Sequence, residues 1–210
     1  MSSDEEADLH PMSSDEEEDG HMGELHFREV AALLAEETAI ELAGPHHRDQ
    51  LSDSELGAII LQLCHAGQVD AIADLLKVRP SVTRYQADGG ICALHVACRG
   101  NDELDAETIV ELLISHGADV NAATYDLESN EAEQQPVFWT PLMEASYFGS
   151  TGIVQMLLNA RADVHAKTKN GTTALEVAID QDQEGSHDEC VKLLRACGAV
   201  DWREAGAGAA

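Results

Sequence analysis

TPLMEASYFGSTGIVQMLLNARADVHA, residues 140–166, is the stretch that decides the fold. It reads as an apolar helix, a break at Gly149, a second helix ending in Leu157-Leu158, and a polar turn. The pattern recurs in AIILQLCHAGQVDAIADLL (58–76), CALHVACRGNDELDAETIVELL (92–113) and TALEVAIDQDQEGSHDECVKLL (173–194). Three of the four copies run into related endings: HGADVNA (116–122), ARADVHA (160–166) and CGAV (197–200). Ser52-x-x-Glu55 ahead of the first copy has the form of a capping box that opens a helix.

Counting tests the register. Ile60 to Leu94 is 34 residues and Leu142 to Leu175 is 33, but Leu94 to Leu142 is 48, or 33 plus 15. Four of those 15 fall in the turn around Asn101–Ala106 and eleven in the loop before Thr140. The last copy repeats the four-residue expansion between Ile179 and Val191.

A period near 33, with T-P-L at 140–142, A-L-H at 93–95 and G-A-D-V-N at 117–121, resembles the ankyrin repeat. The resemblance spans about residues 54–202 and implies an all-α solenoid of helix–turn–helix units with projecting loops, each unit packing on its neighbours. The expected domain is 51–202, with units at about 54–87, 88–136, 137–169 and 170–202. A tail at 1–23, a helical segment and linker at 24–50 and an Ala/Gly tail at 203–210 flank it. The first unit, with Ala58-Ile59-Ile60-Leu61 for T-P-L-H, reads as an N-terminal cap, and the fourth as a C-terminal cap. Arg161 stands where the family has a glycine in a left-handed turn, a position that penalises a side chain.

The register also assigns residues that would otherwise look chemical. Cys64 and Cys98 fall in the slot of Ser146, Cys92 in that of Thr140, and Cys190 and Cys197 in or just after the last helix. All five read as small packing residues. His95 belongs to A-L-H, which the resemblance casts as a hydrogen-bonding link between units. His46-His47 reads as loop, since zinc needs three or four ligands. Phosphate-cradling and hydrolase motifs are absent, so the expectation is no catalytic residue, no metal and no cofactor.

The chain has 40 acidic and 12 basic residues and a formal charge of −28. That disfavours direct nucleic-acid contact, which needs Lys and Arg on phosphates, and an anionic membrane surface. It favours a basic protein partner. Residues 1–53 alone carry 16 acids and two bases, Arg28 and Arg48. The composition of residues 1–23 is that of a disordered segment. Within it SSDEEAD (2–8) and SSDEEED (13–19) place an acid three positions after Ser2, Ser3, Ser13 and Ser14, a pattern similar to substrates of acid-directed kinases. A monomer in the cytoplasm, the nucleus or both is the expectation. The start MSSDEEADLH lacks a signal peptide's basic and apolar regions, and five cysteines without a spacing motif do not form a disulfide framework.

Only eight residues are aromatic, and four of them, Phe138, Trp139, Tyr147 and Phe148, lie within eleven positions. The resemblance puts partner contacts at the loop tips and at outward positions closing the first helix of each unit. Here those are His65 and Ala66, Arg99, Tyr147 and Phe148, and Asp180 and Gln181, with Trp139 in the loop position before T-P-L. Phe138 is ambiguous. The loop 124–138 ahead of them carries Asp126, Glu128, Glu131 and Glu133 and no base. Leu113, Asp119 and Asn121 resemble the pattern by which an asparaginyl hydroxylase modifies ankyrin repeats, making Asn121 a candidate. The expected function is a non-catalytic adaptor or regulator that binds a partner through this groove. The rivals are a dedicated chaperone for a basic client, such as a ribosomal protein or histone, and an enzyme subunit.

Overall fold

The computed structural model describes residues 51–99, 103–125, 139–182 and 185–201. The acidic segment, the serine pairs, the helical segment and linker read at 24–50 with His46-His47, Phe138, the four loop acids, Trp202 and the final tail lie outside the described residues. Among the described residues eight α-helices run in pairs: α1 (Asp53–His65) with α2 (Val69–Val78), α3 (Ala93–Cys98) with α4 (Glu103–Ser115), α5 (Pro141–Tyr147) with α6 (Thr151–Asn159), and α7 (Ala174–Gln181) with α8 (Asp188–Ala196). The first helices pack in a row, α1 on α3 on α5 on α7, and the second helices in another, α2 on α4 on α6 on α8. This is the all-α solenoid the register implies, and each unit's core continues into the next.

Burial follows the count. Ile60, Leu94, Leu142 and Leu175 are each at most 1% exposed, as are Leu75, Leu113, Leu157 and Leu194 on the second helices. Within the four units these two positions are 15, 19, 15 and 19 residues apart, so each four-residue expansion bulges at the turn and leaves both core leucines in place.

Local chemistry sets the helix starts. Ser52 Oγ accepts from the Glu55 amide at 3.3 Å while the Ser52 amide donates to Glu55 Oε2 at 2.8 Å, closing the box read from the sequence. Thr173 and Glu176 make the same box on α7. Thr140 caps α5 through the Met143 amide, and Pro141 sits in the first turn, where its missing N–H costs nothing.

The second helices of the later units end alike. Gly117, Arg161 and Gly198 have φ of 84°, 68° and 93°. The amide that follows each reaches back five residues, to Leu113 O, Leu157 O and Leu194 O, at 3.0, 2.9 and 3.0 Å. Arg161 therefore adopts the left-handed turn that the glycines adopt freely. The connecting loops share a pairing too. Ala87 N donates to Ile91 O, Thr168 N to Thr172 O and Thr124 N to Trp139 O. The first two pairs are four residues apart and the third is fifteen, so the eleven-residue expansion falls between Thr124 and Trp139.

Candidate functional site

The aromatic cluster is built around α5. Trp139, just before its cap, is held by its backbone: its carbonyl accepts from Thr124 N at 3.1 Å and from His95 Nε2 at 3.0 Å. His95 Nδ1 accepts from the Cys92 amide at 3.3 Å, so its other nitrogen carries the proton given to Trp139 O. Burial pulls the His95 pKa down to about 4 and keeps the ring neutral, as that bond pattern requires. His95 thus links the second and third units.

Tyr147 meets Trp139 edge-on, with ring centroids 6.4 Å apart and planes at 68°. Phe148 meets Tyr147 at 5.1 Å and 75°. Trp139 and Tyr147 are partly buried, whereas Phe148 is 48% exposed, one of three large apolar side chains so exposed among the described residues. Val78 and Val200, the other two, are not aromatic.

Two residues that the sequence reading passed over organise this cluster. Glu144, only 5% exposed, accepts from Arg99 Nε on one carboxylate oxygen and from the Trp139 indole N–H on the other. Its slot is held by Val96 and Val177 in the neighbouring units, so a carboxylate in an apolar slot was the available signal. A buried carboxylate without partners is costly, and Arg99 and Trp139 supply them. The second residue is His187. Its Nε2 donates to Tyr147 O at 3.0 Å, and its ring packs where a Cβ on Gly149 would lie, 2.9 Å from Nε2. The expanded turn of the fourth unit thereby closes against the end of α5, and Asp182 Oδ1 accepts from the His187 amide at 2.8 Å.

Of the residues singled out from sequence, Trp139, Tyr147, Phe148 and Arg99 come together here. Arg99 is engaged by Glu144, with its side chain 21% exposed. His65 is exposed and occupies on α1 the slot that Arg99 and Tyr147 occupy in their units. Asn121 is exposed on the loop side. Its Oδ1 accepts from the Asp163 amide at 2.7 Å, and its own amide donates to Asp119 Oδ1 at 2.9 Å, so it ties the second unit to the third.

A cleft lined by Arg84, Cys92 and Asp119, with His95 next to Cys92, contains the types of a thiol site. Burial raises the Cys92 thiol pKa and pulls the His95 pKa to about 4, so at neutral pH it holds neither a thiolate nor a charged imidazole. Cys64, Cys98 and Cys190 are buried, as the packing reading requires. Cys197 corrects that reading. It is exposed, because as the C-cap of α8 it sits past the last buried leucine of the helix. Among the described residues no group of three His, Cys, Asp or Glu is placed to hold a metal, and no helix is long and apolar enough to cross a membrane.

Comparison with known proteins agrees with the geometry. The family model for ankyrin repeats in three copies matches residues 123–203, and the single ankyrin repeat model matches 89–125. The chain is 33% identical over 153 residues to the probable E3 ubiquitin-protein ligase XBOS33 of Oryza sativa subsp. japonica, covering 70% of this chain and 25% of that protein. It is 34% identical over 113 residues to protein phosphatase 1 regulatory subunit 12A of Mus musculus, covering 53% and 9%. It is 32% identical over 130 residues to the putative ankyrin repeat protein YahD of Escherichia coli (strain K12), covering 60% and 55%. The chain thus spans between about a tenth and about half of these relatives' own lengths. With paired helices at the counted register, the shared turns and these matches, the chain belongs to the ankyrin repeat family, whose repeats bind other proteins.

Proposed function

We propose that the chain is a non-catalytic adaptor or regulator whose partner docks on the face formed by the ends of α3 and α5, with Tyr147 and Phe148 as contact residues and Trp139 supporting them. The observation that carries this reading is Phe148, 48% exposed yet stacked edge-on against Tyr147. Aromatic residues, phenylalanine among them, are enriched at interfaces relative to the rest of the surface. Arg99 and Glu144 contribute by holding Trp139, and the acids of loop 124–138 lie next to it in sequence. The ligase and phosphatase-subunit names belong to proteins of which this chain spans a quarter or less, so only repeat-borne docking of a protein partner is carried over.

The test is affinity capture with the full chain beside the Trp139→Ala/Tyr147→Ala/Phe148→Ala variant. A folded variant should lose its specific partner, and full retention would sink the reading. The charge of −28 favours one narrower version, a chaperone of a basic client. In that case capture should collapse at high salt, where exposed charges are screened.

A further inference from the structure

Both ends of α5 are held by imidazoles, one from each neighbouring unit. His95 of the second unit donates from Nε2 to the Trp139 carbonyl at 3.0 Å, and His187 of the fourth donates from Nε2 to the Tyr147 carbonyl at 3.0 Å. The two residues so held are the two whose rings meet edge-on, 6.4 Å apart. Tyr147 closes a helix of seven residues, and a carbonyl in the last turn has no partner within its own helix. The donor it receives stands 40 residues away in the chain.

The fourth unit is built to deliver that donor. Its four-residue expansion lies between Ile179 and Val191. Within it Asp182 Oδ1 accepts from the His187 amide at 2.8 Å, and Ser186 Oγ lies 2.8 Å from His187 Nδ1. Thr151 Oγ1 and Cys190 Sγ, 3.3 Å apart, bring the start of α8 against the start of α6. Gly149 completes the fit, since a Cβ there would lie 2.9 to 3.2 Å from three atoms of the imidazole. The second unit carries the same expansion, and there Asp105 approaches Gly67 of the first unit. A Cβ on Gly67 would lie 3.8 Å from Asp105 Oδ2, an ordinary contact. The end of α1 bears His65 and Ala66, so the close-fitted expansion is the one that meets the aromatic pair.

Resting on the docking face proposed above, we propose that His187 is its positioning residue. It acts without touching the partner. It fixes the end of α5 so that Tyr147 and Phe148 are presented at one place and angle, and it makes docking on the third unit depend on closure of the fourth unit's turn. Rings already held in place lose less freedom on binding, so breaking the bond lowers affinity without removing a contact.

The experiment uses the full chain with Trp202→Phe, which leaves Trp139 as the one indole. Acrylamide quenching reads the cover over Trp139. Hydrogen exchange followed by NMR reads the amides of Phe148 and Ser150, which bond to Glu144 O and Ala145 O at 3.2 and 3.1 Å. His187→Phe keeps a ring over Gly149 and removes the donor. It should speed exchange at both amides roughly fivefold, the loss expected for one hydrogen bond, and raise the quenching of Trp139. His187→Gln restores a side-chain N–H and should return both readings most of the way to wild type. Asp105→Ala alters the other expanded turn and should leave them unchanged. Circular dichroism confirms that each variant folds, and His187→Ala, which adds no bulk, replaces the Phe variant if that one does not fold. Exchange unchanged without the donor, or no recovery with Gln, overturns the positioning role. In the capture assay above, loss of the donor should weaken partner retention with the aromatics intact, and Gln should restore it. Capture that needs the aromatics and ignores His187 leaves the docking face standing and overturns this role alone. Capture that ignores both overturns the two together.

Discussion

Arg161 shows what a single residue costs in a repeat. Its φ of 68° is the one positive value at a non-glycine among the described residues, and the turn bonds of α6 impose it. Around the equivalent Gly117 and Gly198 a Cβ would meet nothing within 4 Å, so the penalty is one of backbone conformation, not of space. Arg161→Gly should therefore stabilise the chain by about 1 kcal/mol. The check is a higher urea midpoint at unchanged slope. His95 makes the opposite kind of contribution. Its folded pKa, about 4, lies below the ordinary 6.5, so between those values the unfolded chain binds the extra proton. Stability should fall as pH drops through that window, by up to roughly 3 kcal/mol from this group. His95→Gln removes the titration, and its stability should vary less with pH across the window than that of wild type. Equal pH dependence in the two chains would refute the assignment.

At the scale of the element, α1 illustrates packing overriding propensity. Gly57 lies buried in the middle of that helix, where alanine would ordinarily be better by about 1 kcal/mol. An added Cβ, however, would sit 2.1 Å from Cγ and 2.6 Å from Cβ of Tyr85, which follows the short 3-10 helix Pro80–Arg84. The near contact is with the root of the side chain, so rotating the ring does not relieve it. Gly57→Ala should lower the melting temperature, with overpacking costing roughly 1–3 kcal/mol. Combining it with Tyr85→Ala should recover part of the loss attributable to the clash, a coupling that a double-mutant cycle measures.

At the scale of the molecule, charge and architecture pull against each other. A one-dimensional stack has each unit stabilised by its neighbours only, so no distant contact compensates a weak junction. A net charge of −28 adds repulsion along the whole chain. Raising ionic strength from near zero to physiological should therefore raise the melting temperature, by roughly a few degrees, through screening. A melting temperature that stays flat or falls over that range would mean that local ion pairs such as Arg79–Asp53 outweigh the overall repulsion.

The sequence by itself determined the period, the helix pairs and the two buried aliphatic positions per unit, and the resemblance to the ankyrin repeat implied the left-handed turn at Arg161. The first three follow from local spacing. A helix repeats every 3.6 residues, so the order of apolar residues states which face is buried, and a turn's backbone is set by a few neighbouring bonds. The neighbourhood of Trp139, Tyr147 and Phe148 was legible because the register places them in slots where the ankyrin resemblance implies partner contacts. What the register does not state is which side chain on one unit meets which on the next. His95 with Trp139, Arg99 with Glu144 and His187 with Tyr147 are separated by 44, 45 and 40 residues. Glu144 and His187 draw no attention in the sequence reading, and Cys197 reads as packed although it is exposed. Only the tertiary structure decided these, because burial of a polar group depends on a partner delivered by the adjacent unit, and no local period encodes that delivery.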